Sequence, residues 1–258
     1  MADKWFTSIT DVGPNKIRLS GYPIGELMGR KSFAEVVWLT LRGELPSEAE
    51  GKLLDAVLVS SVDHGVTPPS TLAARTAAST GAPVNAALAS GVLAVNRFHG
   101  GAVEGCMAAL AEAVAHMKEK DVSREEAAAA TIGRYGEGGR RVEGFGHRLH
   151  DDDPRAARLF ALAEELGLAA EGIPMARAFE TALRNLAGKG LPLNVDGAIG
   201  ACLFDLGFEP HTANAFFILA RMPGWLAHVV EEQTRERPMR RIEPSAWAYD
   251  GPGERHLT

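Results

Sequence analysis

The chain has 258 residues, with 33 acidic against 27 Lys and Arg side chains and a formal net charge of −6. That length suits one large domain, or a large domain with a smaller one inserted or appended. The acidic balance offers no basic field to hold nucleic acid or an anionic membrane, so small-molecule chemistry is expected.

Cys106 and Cys202, the two cysteines, both sit in apolar helical contexts and fit a reducing compartment without a disulfide framework. No run approaches the roughly 18 apolar residues of a membrane span, and Met1-Ala2-Asp3-Lys4-Trp5 lacks an apolar targeting core. A cytoplasmic, unanchored protein is the expectation.

In chain order, residues 5–23 mix polar and apolar side chains around Gly13-Pro14 and Gly21-Tyr22-Pro23, which predicts an extended arm or short hairpin. Ser32 with Glu35 forms a capping box for a helix that ends at Gly43. A second helix starts at Leu45-Pro46-Ser47, carries Leu53, Leu54, Val57, Leu58 and Val62 on one face, and leads to Asp63-His64-Gly65. Residues 68–134 are rich in alanine and break at Gly81-Ala82-Pro83 and Phe98-His99-Gly100-Gly101, predicting three or four closely packed helices whose junctions open toward one cleft. Ser123 with Glu126 caps the helix over 123–135, and Gly136 to Arg141 is a candidate hinge. Further helices are predicted over 154–167, 173–187, 197–206 and 212–234, and a tail from Arg235 wraps a neighbouring surface. Sustained alternation of period two is absent, so the fold class is all-α with short strands at most near the N-terminus.

Three stretches carry site chemistry. In Val142-Glu143-Gly144-Phe145-Gly146-His147-Arg148 two glycines flank a turn that ends on an imidazole, and Asp153-Pro154-Arg155 then caps and starts a helix. Arg97-Phe98-His99-Gly100-Gly101 and Leu193-Asn194-Val195-Asp196-Gly197 are the other two. Asp196 follows apolar residues that would raise its pKa, and it is equally placed to cap a helix beginning at Gly197; both roles can coexist.

Read together, these stretches resemble the citrate synthase superfamily, and most closely its citryl-CoA lyase branch, including the lyase module of ATP citrate lyases. Ile17 to Ile24, Phe33 to Pro46, Asp63-His64 with Ser70-Thr71 and Arg75, Phe98 to Ala102, Gly144 to Arg155, Asn194-Val195-Asp196, and Ala220-Arg221 through Trp225 to His228 match its blocks in order. The chain departs by a large deletion, since only 16 residues separate Pro46 from Asp63 where full-length synthases carry a long helical region. Asn194-Val195-Asp196-Gly197 is similar to the lyases rather than to the synthases.

The resemblance implies a compact multi-helix fold with a large helical part, about 1–135 and 190–258, and a small part, about 136–189. It implies reversible cleavage of citryl-CoA into acetyl-CoA and oxaloacetate, with citrate or 2-methylcitrate synthesis, or a non-catalytic CoA- and carboxylate-binding paralogue, as alternatives. His147 is then the base for the citryl hydroxyl, His99 the donor to the thioester oxygen, and Asp196 the group that exchanges a proton with the acetyl carbon. Arg155 and Arg221 correspond to arginines that bind substrate carboxylates, Arg237 to one supplied across a dimer, and His64 to a substrate contact or base. Gly144, Phe145 and Gly146 face the adenine of CoA, and Arg148 is among the cations available to its phosphates. The usual cation inside that loop is replaced by His150-Asp151-Asp152-Asp153, so Arg140, Arg141 or Arg148 would have to hold the phosphates, unless the CoA preference is altered. No metal is implied. The expected assembly is a homo-oligomer built on a dimer, served by a separate ligase that makes citryl-CoA.

Overall fold

The computed structural model describes residues 4–146, 153–187 and 191–241, and in the tail 243–246, 248, 250–251, 253–254 and 256. The N-terminal arm is a three-stranded antiparallel sheet, β1 (Thr10–Gly13), β2 (Lys16–Leu19) and β3 (Tyr22–Pro23), in the order β1-β2-β3. Thr10 pairs with Leu19 and Gly13 with Lys16, and Asn15 makes the turn at φ 57°. The other named elements are helical, as the missing period-two pattern predicted: α1 (Ile24–Leu27), α2 (Phe33–Arg42), α3 (Glu48–Ser60), α4 (Pro69–Ser79), α5 (Val84–Leu93), α6 (Ala102–Lys120), α7 (Arg124–Glu137), α8 (Pro154–Glu165), α9 (Gly172–Ala187), α10 (Val195–Asp205) and α11 (Ala213–Arg235). Among the described residues no helix is long and apolar enough to cross a membrane.

Helix starts follow local chemistry. Ser32 with Glu35, Ser47 with Glu50 and Ser123 with Glu126 each form a reciprocal capping box, and α2 stops at a left-handed Gly43. Asp153 caps α8 ahead of Pro154. The start of α10 differs from the expected Gly197: Asn194 is the N-cap and accepts from the amides of Asp196 and Gly197, so Asp196 lies inside the first turn. An amide side chain at the boundary satisfies those donors and leaves the Asp196 carboxyl free of capping duty. The amides that open α9 are capped from far along the chain. Asp205, the last residue of α10, accepts from Ala170, Glu171, Gly172 and Ile173 N–H groups at 3.1, 2.9, 2.6 and 3.0 Å.

The chain divides into two compact units: Met1–His64 with Val95–Pro223, and Gly65–Ala94 with Gly224–Thr258. In the first, α10 is the central element. It is apolar on nearly every side, with Ala198, Ile199, Ala201, Cys202 and Leu203 fully buried, as a helix enclosed by others requires. It packs on α6, α8 and α9, and the approach to α6 is close: a side chain at Gly200 would press on the Val103 carbonyl at 3.2 Å and Cys106 Cβ at 3.3 Å.

The second unit packs α4 and α5 with the C-terminal half of α11. Trp225 is fully buried and donates its indole N–H to Ser70 Oγ at 3.1 Å. Glu232, also buried, accepts from Arg75 Nε at 2.7 Å and from Arg240 Nε at 2.8 Å, and the Met239 amide donates to the Ser79 carbonyl at 2.8 Å. The tail thus folds back onto α4 and α11.

Candidate active site

Asp196 sits half-buried in the first turn of α10. Burial raises its carboxyl pKa, opposed by the Arg155 and Arg221 charges and reinforced by Asp153. Two cations therefore face this carboxylate, and desolvation still outweighs them.

Arg155 is held two residues from its helix cap. Its Nε donates to Asp153 Oδ1 at 3.0 Å and its Nη2 to Asp153 Oδ2 at 2.9 Å, a bidentate pair. Asp153 is 1% exposed, and its Oδ2 also accepts from the Val195 amide at 3.1 Å. Burial pushes the Asp153 carboxyl up, but the Arg155 hydrogen bonds outweigh it and hold the group below the usual carboxylate range. One carboxylate thus ties the first turns of α8 and α10 together, and with them Arg155 and Asp196.

Arg221 lies on α11, 4% exposed, with Nε donating to the Ser61 carbonyl at 2.6 Å and its guanidinium 4.9 Å from the Phe217 ring centre. Burial lowers its pKa while the charges of Asp63 and Asp196 raise it, so both carboxylates lie within its field. His99 meets the same Phe217 ring edge-on, at 5.8 Å and 86°. Its backbone closes a tight turn in which the Asn96 and His99 amides donate to each other's carbonyls at 2.9 and 2.8 Å. Gly100 follows at φ 85°, where a side chain would strike Val95 and Phe217. Burial, and secondly the Arg221 charge, lower the His99 pKa, which keeps the imidazole neutral near pH 7 with one N–H to donate.

The glycine turn is laced to the start of α10. Gly146 N–H donates to the Pro192 carbonyl at 2.7 Å, the Asn194 amide to the Gly144 carbonyl at 3.1 Å, and Asn194 Nδ2 to the Gly146 carbonyl at 2.8 Å. Gly144 has φ 87°, and a side chain there would collide with Gly197 Cα at 2.6 Å. Phe145 packs edge-on against Phe179 at 6.1 Å.

His99, Asp196, Arg155 and Arg221, expected at one site, are linked here through shared partners and shared fields. His147 and Arg148 lie outside the described residues. His64 is exposed and directly follows Asp63, whose charge acts on Arg221. Arg237 is exposed and belongs to the second unit. Among the described residues no three His, Cys, Asp or Glu side chains converge as metal ligands.

Sequence reasoning left three positions without a site role. Asn194 stood in a quoted motif, Asp153 was read as a cap and as part of the acidic run 151–153, and Phe217 went unremarked although it lies one helical turn before Arg221.

Known proteins resemble the chain in sequence and in fold. In sequence the chain is 32% identical over 204 residues to citrate synthase from Haloferax volcanii, covering 78% of this chain and 51% of the relative. It is 31% identical over 227 residues to citrate synthase 2 from Bacillus subtilis, covering 85% and 56%. The chain therefore spans about half the length of the citrate synthases it matches. Among solved structures, citryl-CoA lyase from Hydrogenobacter thermophilus superposes with a TM-score of 0.89 and 38% identity, covering 98% of this chain and 97% of the other. Residues 46–243 match the model of the citrate synthase C-terminal domain, and with its all-α fold the chain belongs to the citrate synthase family.

Proposed function

We propose that the chain is a citryl-CoA lyase, cleaving citryl-CoA reversibly into acetyl-CoA and oxaloacetate. The observation that carries this is end-to-end similarity to a lyase of the same size, 98% and 97% of the two chains, whereas only 51% and 56% of the matched synthases are covered.

In cleavage, a base removes the proton of the tertiary hydroxyl, the carbon–carbon bond breaks as the alkoxide becomes the ketone of oxaloacetate, and the bonding pair passes into the thioester enolate. His147 is assigned the first step. The neutral His99 donates its N–H to the thioester oxygen as negative charge develops there. Asp196, whose raised pKa favours the protonated form, gives its proton to the enolate carbon to form the acetyl methyl. Arg221 and the edge of Arg155 left open by Asp153 bind the two free carboxylates, and His64 adds a substrate contact. Gly144, Phe145 and Gly146 offer backbone groups to the adenine. No water or nucleotide triphosphate enters this step, so a separate ligase must supply citryl-CoA. We place the protein in the cytoplasm, as a homo-oligomer built on a dimer in which Arg237 reaches the partner's site.

A synthase is the second reading, favoured by the names of the sequence relatives. Incubating the pure protein with citryl-CoA, and separately with acetyl-CoA plus oxaloacetate, separates them. Oxaloacetate release without free thiol is expected; thiol release during condensation would replace the lyase with a synthase, and neither signal would leave a binding paralogue.

A further inference from the structure

After α11 the chain reverses over 236–239, and the reversal is held by polar contacts rather than by packing. Arg237, Pro238 and Met239 are exposed, and with α4 the turn lines a cavity of about 300 Å³ instead of filling it. Met239 takes a left-handed φ of 63°, a conformation disfavoured for residues other than glycine that persists only where neighbours impose it.

The neighbours that impose it lie on α4 and α11. Met239 N–H donates to the Ser79 carbonyl at 2.8 Å and Arg240 N–H to Ser79 Oγ at 3.2 Å. The Arg240 guanidinium grips Glu232 with both Nε, at 2.8 Å, and Nη2. Glu232 is 2% exposed and is anchored in turn by Arg75 Nε at 2.7 Å, so the clamp is rooted in the interior of the second unit.

Arg237 stands on the outside of this turn. On either side of it Arg235 pairs with Glu231 at 2.9 Å and Arg240 with Glu232, whereas Arg237 makes no hydrogen bond or ion pair among the described residues. Pro238 directly after it restricts its backbone to extended conformations. A guanidinium left unpaired on a clamped turn is pre-organised for a carboxylate outside its own unit.

Taking Arg237 as the cross-dimer arginine of the proposed function, we propose that Arg240 is a positioning residue, holding through Glu232 and Ser79 the turn that presents Arg237 to a substrate carboxylate in a second copy of the chain.

Citrate affinity, measured by isothermal titration of the full chain as wild type, R237Q, R240Q and R237Q/R240Q, tests it. R240Q leaves Glu232 paired with Arg75, so the fold is retained. Each single variant is expected to weaken citrate binding at least about fivefold, and the double variant no more than R237Q alone, because a turn without its arginine has nothing left to aim. With citryl-CoA, KM carries the loss in R240Q while kcat stays within about twofold. Losses that multiply in the double variant give Arg240 an independent structural effect and overturn the proposal, as does a fall in kcat at unchanged KM. Wild-type affinity in R240Q beside weakened binding in R237Q also overturns it, and leaves the role of Arg237 standing. Wild-type affinity in R237Q removes that role, and the proposal with it.

Discussion

Asp196 carries opposite demands of stability and chemistry. Its carboxyl is raised by burial, so the native chain holds a proton there that the unfolded chain releases; stability is lost as pH rises through the ordinary carboxylate range toward the raised value. Asp196→Asn removes that penalty. The variant is expected to melt at the wild-type temperature or above it at pH 7, while the proposed cleavage of citryl-CoA falls by roughly 10²–10⁴-fold. A destabilised D196N would contradict the assignment. Asn194→Ala loses the helix cap, about 1 kcal/mol, and also the bond to Gly146. Because Asn194 orients rather than binds, kcat should fall more than KM rises. At this scale the candidate residues were legible, since His99, Asp196 and Arg221 sit in compact motifs and the Arg221 charge acts on the other two. The Asp153–Val195 contact was not, because its partners are separated by 42 positions.

Among elements, the turn ending at Gly146 and the start of α10 behave as one piece. Gly144→Ala meets both a left-handed φ and the backbone of Gly197, so it should cost about 1–3 kcal/mol in strain alone, read as a lowered denaturant midpoint, with activity reduced in step. The capping boxes were readable because donor and acceptor are three residues apart and the pattern is local. The boundary of α10 was misplaced for the same reason in reverse: both Asn194 and Asp196 suit a cap, and the choice between them depends on the Gly146 carbonyl, which lies 48 positions away.

For the whole molecule, the second unit joins segments that sequence reading kept apart. Arg75 and Glu232 are 157 positions distant, and nothing local announces their pairing. Burial pushes the Glu232 carboxyl up, but the Arg240 and Arg75 hydrogen bonds outweigh it and hold it low. With Asp153 of the first unit also low, both groups bind fewer protons in the native state than when unfolded. Their stabilisation is present above the ordinary carboxylate pKa and drains as pH falls through the lowered values. Urea midpoints measured between neutral and acid pH should therefore drop, and Glu232→Ala, which leaves Arg75 with its less buried partner Glu231, should cost about 1.5–3 kcal/mol at neutral pH. A flat acid profile would contradict this.

The four amides gathered by Asp205 tie the beginning of α9 to the last residue of α10. Neither end can fray without releasing the other, so hydrogen exchange at those amides should share one opening free energy with the end of α10. Two helices more than thirty positions apart in these contacts then melt in concert, and the cooperativity of the first unit's interior rests partly on a single borrowed carboxylate.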